Sequence, residues 1–168
     1  MIDLYKLVLI LTMLTVWLTV HMLQIEQEMS MKTLFLAKQA INRSAHAAAQ
    51  QLNMEALGKG ILRIDEGQAE DAAWLYLQTN LRLDRSGMPL QHSFLRHQAK
   101  VLVFEVINDH YSFPYSYHNA AYDYSVQLYR PGVVMIVEIE YPRAFQLMEP
   151  IIWQIKGTAE LTLLNHLT

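Results

Sequence analysis

The sequence predicts an α+β fold. A long N-terminal transmembrane/amphipathic helix packs on a roughly four-stranded antiparallel sheet, with a second, shorter helix alongside. Three observations predict it. Leu7 to Ile25 is apolar and free of Asp, Glu, Lys and Arg. Neither Gly nor Pro interrupts Glu26 to Leu57. Beyond Lys100 the apolar spacing changes from helical steps to β-branched runs and alternation. Helices first and strands second is the order of an α+β domain.

The first stretch fixes the rest. A span of ~20 largely apolar residues is what a helix needs to cross a bilayer core, and in lipid only a helix satisfies its own backbone polar groups. Asp3 and Lys6 precede it, Leu7, Leu11, Leu14 and Leu18 recur along it, and Trp17 and His21 lie in its later half, where amphipathic rings approach headgroups. A buried core helix of a soluble protein is the plainer reading of such a run. A cleaved signal would need a small-x-small exit, and His21 to Glu26 offers none. Residues 1–25 are therefore read as an uncleaved anchor in the cell membrane. The N-terminus is expected on the cytoplasmic side and the bulk of the chain exported.

Residues 26–57 are expected to continue the same helix as an amphipathic outer half. Leu34, Ile41, Ala45, Ala48, Leu52 and Ala56 step by threes and fours to make its apolar stripe. Lys32, Lys38, Asn42, Arg43, Gln50 and Asn53 fill the opposite face. The whole rod would be on the order of 80 Å long, with Gly58 and Gly60 as its stop. Alanines at 45 and 47–49 keep the outer half narrow, so a sheet or helix can approach closely.

Residues 58–168 form the head. Asp65 with Gln68 three residues on fits a capping box, opening a helix with Ala69, Ala72, Ala73, Tyr76, Leu77 and Leu81 as its stripe and an end near Asp84. Phe94 and Leu95 are placed to tuck under the connection that follows. Val101 to Ile107 reads as a strand, and His110 to Ala121 as an aromatic loop. Tyr122 to Tyr129 and Val133 to Tyr141 are read as a hairpin across Arg130-Pro131-Gly132. Pro142 and Pro150 bracket Phe145, Leu147 and Met148, and Trp153 to Leu164 is the last strand. Glu105, Glu138 and Glu140 are most simply the wet face of the sheet.

Composition excludes several classes of function. The formal net charge of -3 gives no electrostatic reason to expect nucleic acid. Without cysteine there are no disulfides and no thiolate metal sites. Phosphate loops, nucleophile elbows and paired-carboxylate motifs are absent, so neither an enzyme, a cofactor nor a small-molecule substrate is expected. The histidines at 21, 46, 92, 97, 110, 118 and 166 lack metal-ligand spacing and read as surface or hydrogen-bonding groups. Tyr111, Phe113, Tyr115 and Tyr117 form a possible contact loop, since aromatics with polar tips favour recognition; the same residues could equally cap the sheet edge.

The order of parts resembles a pilin. More narrowly, the C-terminal half resembles the TadE-like pseudopilins of tight-adherence (Tad/Flp) pilus systems. The residues that carry the likeness are Val133 to Pro142, the hydrophobic segment to Pro150, Lys156 to Leu161, and the Ala-rich stretch Ala45 to Ala49. The resemblance implies a structural subunit of a cell-surface filament or secretion assembly. Its partners would be copies of itself or other pilin-like subunits within the membrane, packed through the helix. The alternative is a monomeric single-pass membrane protein with an exported binding head, an accessory or sensor protein. A second rival is an envelope hydrolase using His110 and His118. Pilin precursors carry a polar leader and often a Glu near the new terminus. Here Met1 abuts the apolar run and Tyr5 stands fifth, so processing by a prepilin peptidase is not implied. Asp3 could neutralise a neighbour's terminal amine, or simply sit at the membrane surface.

Overall fold

The computed structural model describes residues 3–141, 143 and 149–162. Three helices come first: α1 (Leu4–Ala49), α2 (Met54–Gly58) and α3 (Glu66–Leu81). Five strands follow: β1 (Lys100–Ile107), β2 (Tyr115–Asn119), β3 (Tyr124–Leu128), β4 (Gly132–Tyr141) and β5 (Ile151–Glu160). The fold is α+β as the sequence predicts. Pro142, Phe145, Leu147, Met148, the expected end of the last strand at Leu163 and Leu164, and His166 lie outside the described residues.

One helix of 46 residues carries both halves of the predicted rod, a length of about 69 Å. It passes through Glu26 to Ser30 without a break. Its stop, however, is Ala49 rather than Leu57, so the outer half of the rod is shorter than residues 26–57. Tertiary pairing overrides helix propensity here. Leu52 forms an isolated antiparallel bridge with Ile64, through Asn53 N–H to Arg63 O at 2.8 Å and Asp65 N–H to Gln51 O at 2.7 Å. Asn53 then caps α2, its Oδ1 accepting from Ala56 N–H at 2.9 Å. Leu52 thus leaves the helical stripe, and Gly58 and Gly60 end α2 instead of α1.

Asp65 caps α3 as expected, its Oδ1 accepting from Gln68 N–H at 3.0 Å. Its own N–H goes to the Gln51 carbonyl, so the second half of the capping box is replaced by a tertiary contact. The helix closes at Leu81, short of Asp84, because Arg82 turns left-handed with φ 54°. Asp84 organises the next turn, its Oδ1 accepting from Ser86 N–H, Ser86 Oγ and Met88 N–H.

The main sheet has the order β1-β4-β5, all antiparallel. Its centre, β4, is the Val133-Val134-Met135-Ile136-Val137 run, buried throughout. A continuous apolar run suits a strand covered on both faces. On one face Val133, Met135, Val137 and Ile139 join the residues of α1 and α3. On the other, Val134 meets the separate β2-β3 sheet. The predicted four-stranded sheet is thus divided into three strands and two. β3 does not pair with β4 across Arg130-Pro131-Gly132; it pairs with β2, Tyr117 opposite Val126. A short connection permits a hairpin but does not force one. Both edges of β4 are taken by the longer strands β1 and β5, and β3 crosses to the covering layer. A bulge between Val101 and Val103 shifts the register of β1, so that Val101 and Phe104 both face the helices.

From Glu26 onward α1 buries Ser30, Thr33, Ala37, Ala40, Ile41, Ser44, Ala45, Ala48 and Ala49 in steps of three and four. Apart from Ile41 and Glu26 these are small side chains, which lets α3 and the sheet come close. Ile41, Ala45 and Ala48 lie on the stripe as expected, and Leu34 packs half-buried beside it. Arg43 Nη1 donates to Asn80 Oδ1 at 3.0 Å, joining α1 to α3, and Lys38 Nζ donates to the Lys156 carbonyl, joining α1 to β5.

Candidate functional site

The sequence points to α1 and to the aromatic stretch, and the structure treats them differently. Every residue of α1 from Leu4 to Ile25 is exposed. This stretch makes α1 long and apolar enough to cross a membrane, with a mean hydropathy of 1.9 over its best window and none of that window buried against the head. A core helix of a soluble protein would be covered, and this one is bare. Leu7, Leu11, Leu14 and Leu18 all face outward, at 44–53% exposure. Asp3 and Lys6 form an ion pair at 2.9 Å just ahead of them, where both remain exposed. Trp17 and His21, one turn apart, stack with ring centroids at 5.0 Å. The hydroxyls of Thr12, Thr15 and Thr19 each donate to the carbonyl four residues back, at 2.8–2.9 Å. Their donors are satisfied inside the helix, so they offer a neighbouring helix only an acceptor.

Beyond Ile25, the exposed side of α1 is not purely polar. Met29, Met31 and Phe35 are 54%, 60% and 62% exposed, and Leu36 is 37% exposed. The apolar stripe through Leu34 and Ile41 that the sequence offers does not include them. The signal was present: Met31 and Phe35 are four residues apart, about 40° around the helix, and so share one face.

The aromatic stretch is largely inward. Tyr117 is buried with Ile107, Leu128 and Val134, and Tyr111, Phe113 and Tyr115 pack against that cluster half-buried. Tyr111 and Tyr115 lie at 4.3 Å between ring centroids, and His110 lies tilted against Tyr111 at 4.2 Å. Part of the expected loop is strand β2, whose alternation Tyr115-Ser116-Tyr117-His118 puts the tyrosines toward the main sheet and Ser116 and His118 toward solvent. These rings therefore fasten the small sheet over the large one. Tyr117 Oη donates to Glu105 Oε1 of β1 at 3.0 Å, and Tyr124 Oη and Thr158 Oγ1 of β5 share a hydrogen bond at 2.7 Å.

Burial raises the pKa of Tyr117; the Asn119 amide pulls it down, and the hydrogen bond and charge of Glu105 push it further up. A raised phenol contributes stability that is intact below its unfolded value and lost as pH rises through the folded one. Unfolding of the full chain in detergent at a series of alkaline pH values is expected to show this loss. Tyr117→Phe should flatten the alkaline limb and cost about 0.5–1.5 kcal/mol at neutral pH, where Glu105 can hydrate instead. Phenolate absorbance measured alongside should lose a component that titrates above the ordinary tyrosine range.

Of the histidines, His97 Nε2 lies 3.6 Å from Glu140 Oε1, and His118 Nδ1 is 2.7 Å from Ser125 Oγ. His118 faces solvent on β2, while His110 is held against Tyr111. No group of three His, Asp or Glu among the described residues is arranged to hold a metal ion. Glu138 pairs with Lys100 at 3.3 Å on the open part of the sheet face. No protein-family model, curated protein or solved structure matches the chain.

Proposed function

We propose that this chain is a pilin-like structural subunit of a cell-surface filament or secretion assembly, anchored and packed through α1 with its head exported. The observation that carries the reading is the division of α1. One unbroken helix of 46 residues has an apolar half that touches nothing and an outer half clamped by the head. A rod so exposed needs either lipid or other helices around it. Exchanging lipid neighbours for copies of the same anchor costs little hydrophobic energy, so association depends on packing. The exposed pair Met31 and Phe35 extends that packing surface above the anchor. The order of parts resembles that of TadE-like pseudopilins.

The test is to express the full chain in a bacterial envelope, shear the surface and compare sheared and membrane fractions by electron microscopy and cross-linking. The expected result is cross-linked copies and a helical bundle or filament that contains the chain. Phe35→Glu should weaken the cross-linked species at least tenfold while leaving the head's melting temperature within about 2 °C, because Phe35 is on the surface away from the core. A chain that stays singly dispersed in the membrane under every condition would overturn assembly and favour the monomeric single-pass reading.

A further inference from the structure

At the base of the head a groove of about 620 Å³ opens between α1 and the segment that leads into β1. Met29, Lys32 and Leu36 line it from the helix, and Phe94, Arg96 and Tyr141 from the head. Among the described residues no carboxylate lines it. Lys32 and Arg96 are both exposed, and neither has an ion-pair or hydrogen-bond partner among the described residues. Arg143 lies where the groove meets a smaller cleft, which Glu26 also lines. Among the described residues, Lys32 and Arg96 thus present two uncommitted cations to an otherwise half-apolar groove.

The position of the groove on the rod gives those cations a counterpart. Leu18, Met22, Ile25, Met29, Lys32 and Leu36 follow one another by fours and threes, so they form a single line along α1. The apolar members of that line are all exposed. It runs from the anchor straight into the groove. Lys32 lies seven residues past Ile25, about 10 Å further along the axis. Side chains on a helix lean toward its N-terminus, which here is the anchor side. With residues 1–25 read as the anchor, the Lys32 ammonium would reach back into the headgroup layer, roughly 5–8 Å deep.

We propose that this groove seats the phosphate-bearing headgroup of an anionic membrane lipid, with an acyl chain lying along Met29, Ile25 and Met22. The inference rests on the reading of residues 1–25 as an anchor. Lys32 and Arg96 hold the phosphate from opposite walls, Arg supplying planar donors and Lys a mobile point charge. Met29 and Phe94 cover the upper acyl chain. The lipid would fix the height and rotation of the head on the membrane.

The full chain is purified in a neutral detergent and given phosphatidylglycerol, phosphatidylcholine or inorganic phosphate. Retained lipid is read by native mass spectrometry and stability by thermal melting. Phosphatidylglycerol is expected to be retained roughly ten- to thirtyfold better than phosphatidylcholine and to raise the melting temperature. Lys32→Gln with Arg96→Gln should erase the preference without lowering the melt in lipid-free detergent, since both side chains are exposed. Equal retention of the two lipids, or a preference that survives the double variant, overturns the proposal. A stabilisation by inorganic phosphate equal to that by phosphatidylglycerol makes the groove a phosphate site and overturns the lipid. If the anchor reading itself is wrong, the chain is recovered from the aqueous fraction without detergent, an outcome separate from all of these.

Discussion

Replacing Asn108 by Leu is expected to destabilise the head by about 2–4 kcal/mol. Asn108 is fully buried at the end of β1. Its Oδ1 accepts from Ile64 N–H at 2.8 Å, and its Nδ2 donates to Ile64 O at 3.1 Å and to Glu66 Oε1 at 3.3 Å. Ile64 is itself 1% exposed. In the bridge with Leu52, the backbone bonds are made by Asn53 with Arg63 and by Asp65 with Gln51. That leaves the polar groups of Ile64 directed away from Leu52, and the Asn108 amide completes them as a neighbouring strand would. Leucine fills a similar volume but strands one buried donor and one buried acceptor. Asn108→Asp tests the direction of the bonds. It keeps the acceptor for Ile64 N–H but sets a carboxylate against the Ile64 carbonyl and Glu66. The Asp variant should therefore recover stability as pH falls and the carboxyl protonates, whereas the Leu variant should not. Thermal melts of both across acid and neutral pH are the measurement. A Leu variant as stable as the parent would mean that the Ile64 groups find other partners.

The contrast between Asn108 and β4 marks what could be read before the coordinates. Val133 to Val137 is apolar at every position, so a strand covered on both faces follows from local composition alone. The charge-free run of α1 and the Asp65 cap are likewise local signals, and both stand where they were expected. What failed was pairing across distance. Nothing between Glu26 and Leu57 is a helix breaker, and α1 ends at Ala49 because residues more than ten positions later bridge to Leu52. Strand β2 was hidden inside a run that carries Pro114 and several polar residues, and its partner β3 was assigned to β4 because only the intervening turn could be weighed. The candidate surface was legible in the same uneven way. The residues from Asp3 to His21 are exposed, as a membrane or assembly surface would require. The tyrosines were ambiguous because an aromatic with a polar tip suits a contact surface and a small core equally. Lys32 and Arg96 are sixty-four positions apart, and no spacing rule could bring them to one groove.

Closeness of α1 to the sheet sets the other large effect. At Gly157 on β5, an added Cβ would lie 2.9 Å from Ile41 Cγ2 and 3.3 Å from Ile41 O. The carbonyl belongs to the helix backbone and cannot turn aside, and Ile41 is completely buried among Leu77, Met135 and Ile155. Gly157→Ala should therefore cost about 1–3 kcal/mol through overpacking, and Gly157→Val more. Ile41→Ala on its own removes buried methyl groups and should cost about 2–5 kcal/mol. The informative variant is the double one. With Ile41 shortened to alanine, the Cγ2 that the new Cβ meets is gone, and the added methyl occupies part of the space left behind. The double Ala variant should therefore be less destabilised than the two single costs added together, by about 0.5–3 kcal/mol of coupling. Denaturant midpoints for the four proteins of the cycle, in one detergent, measure it. Strict additivity would mean that the sheet retreats from the helix as a unit. In that case the small residues along the outer half of α1 would not be what holds the rod against the head.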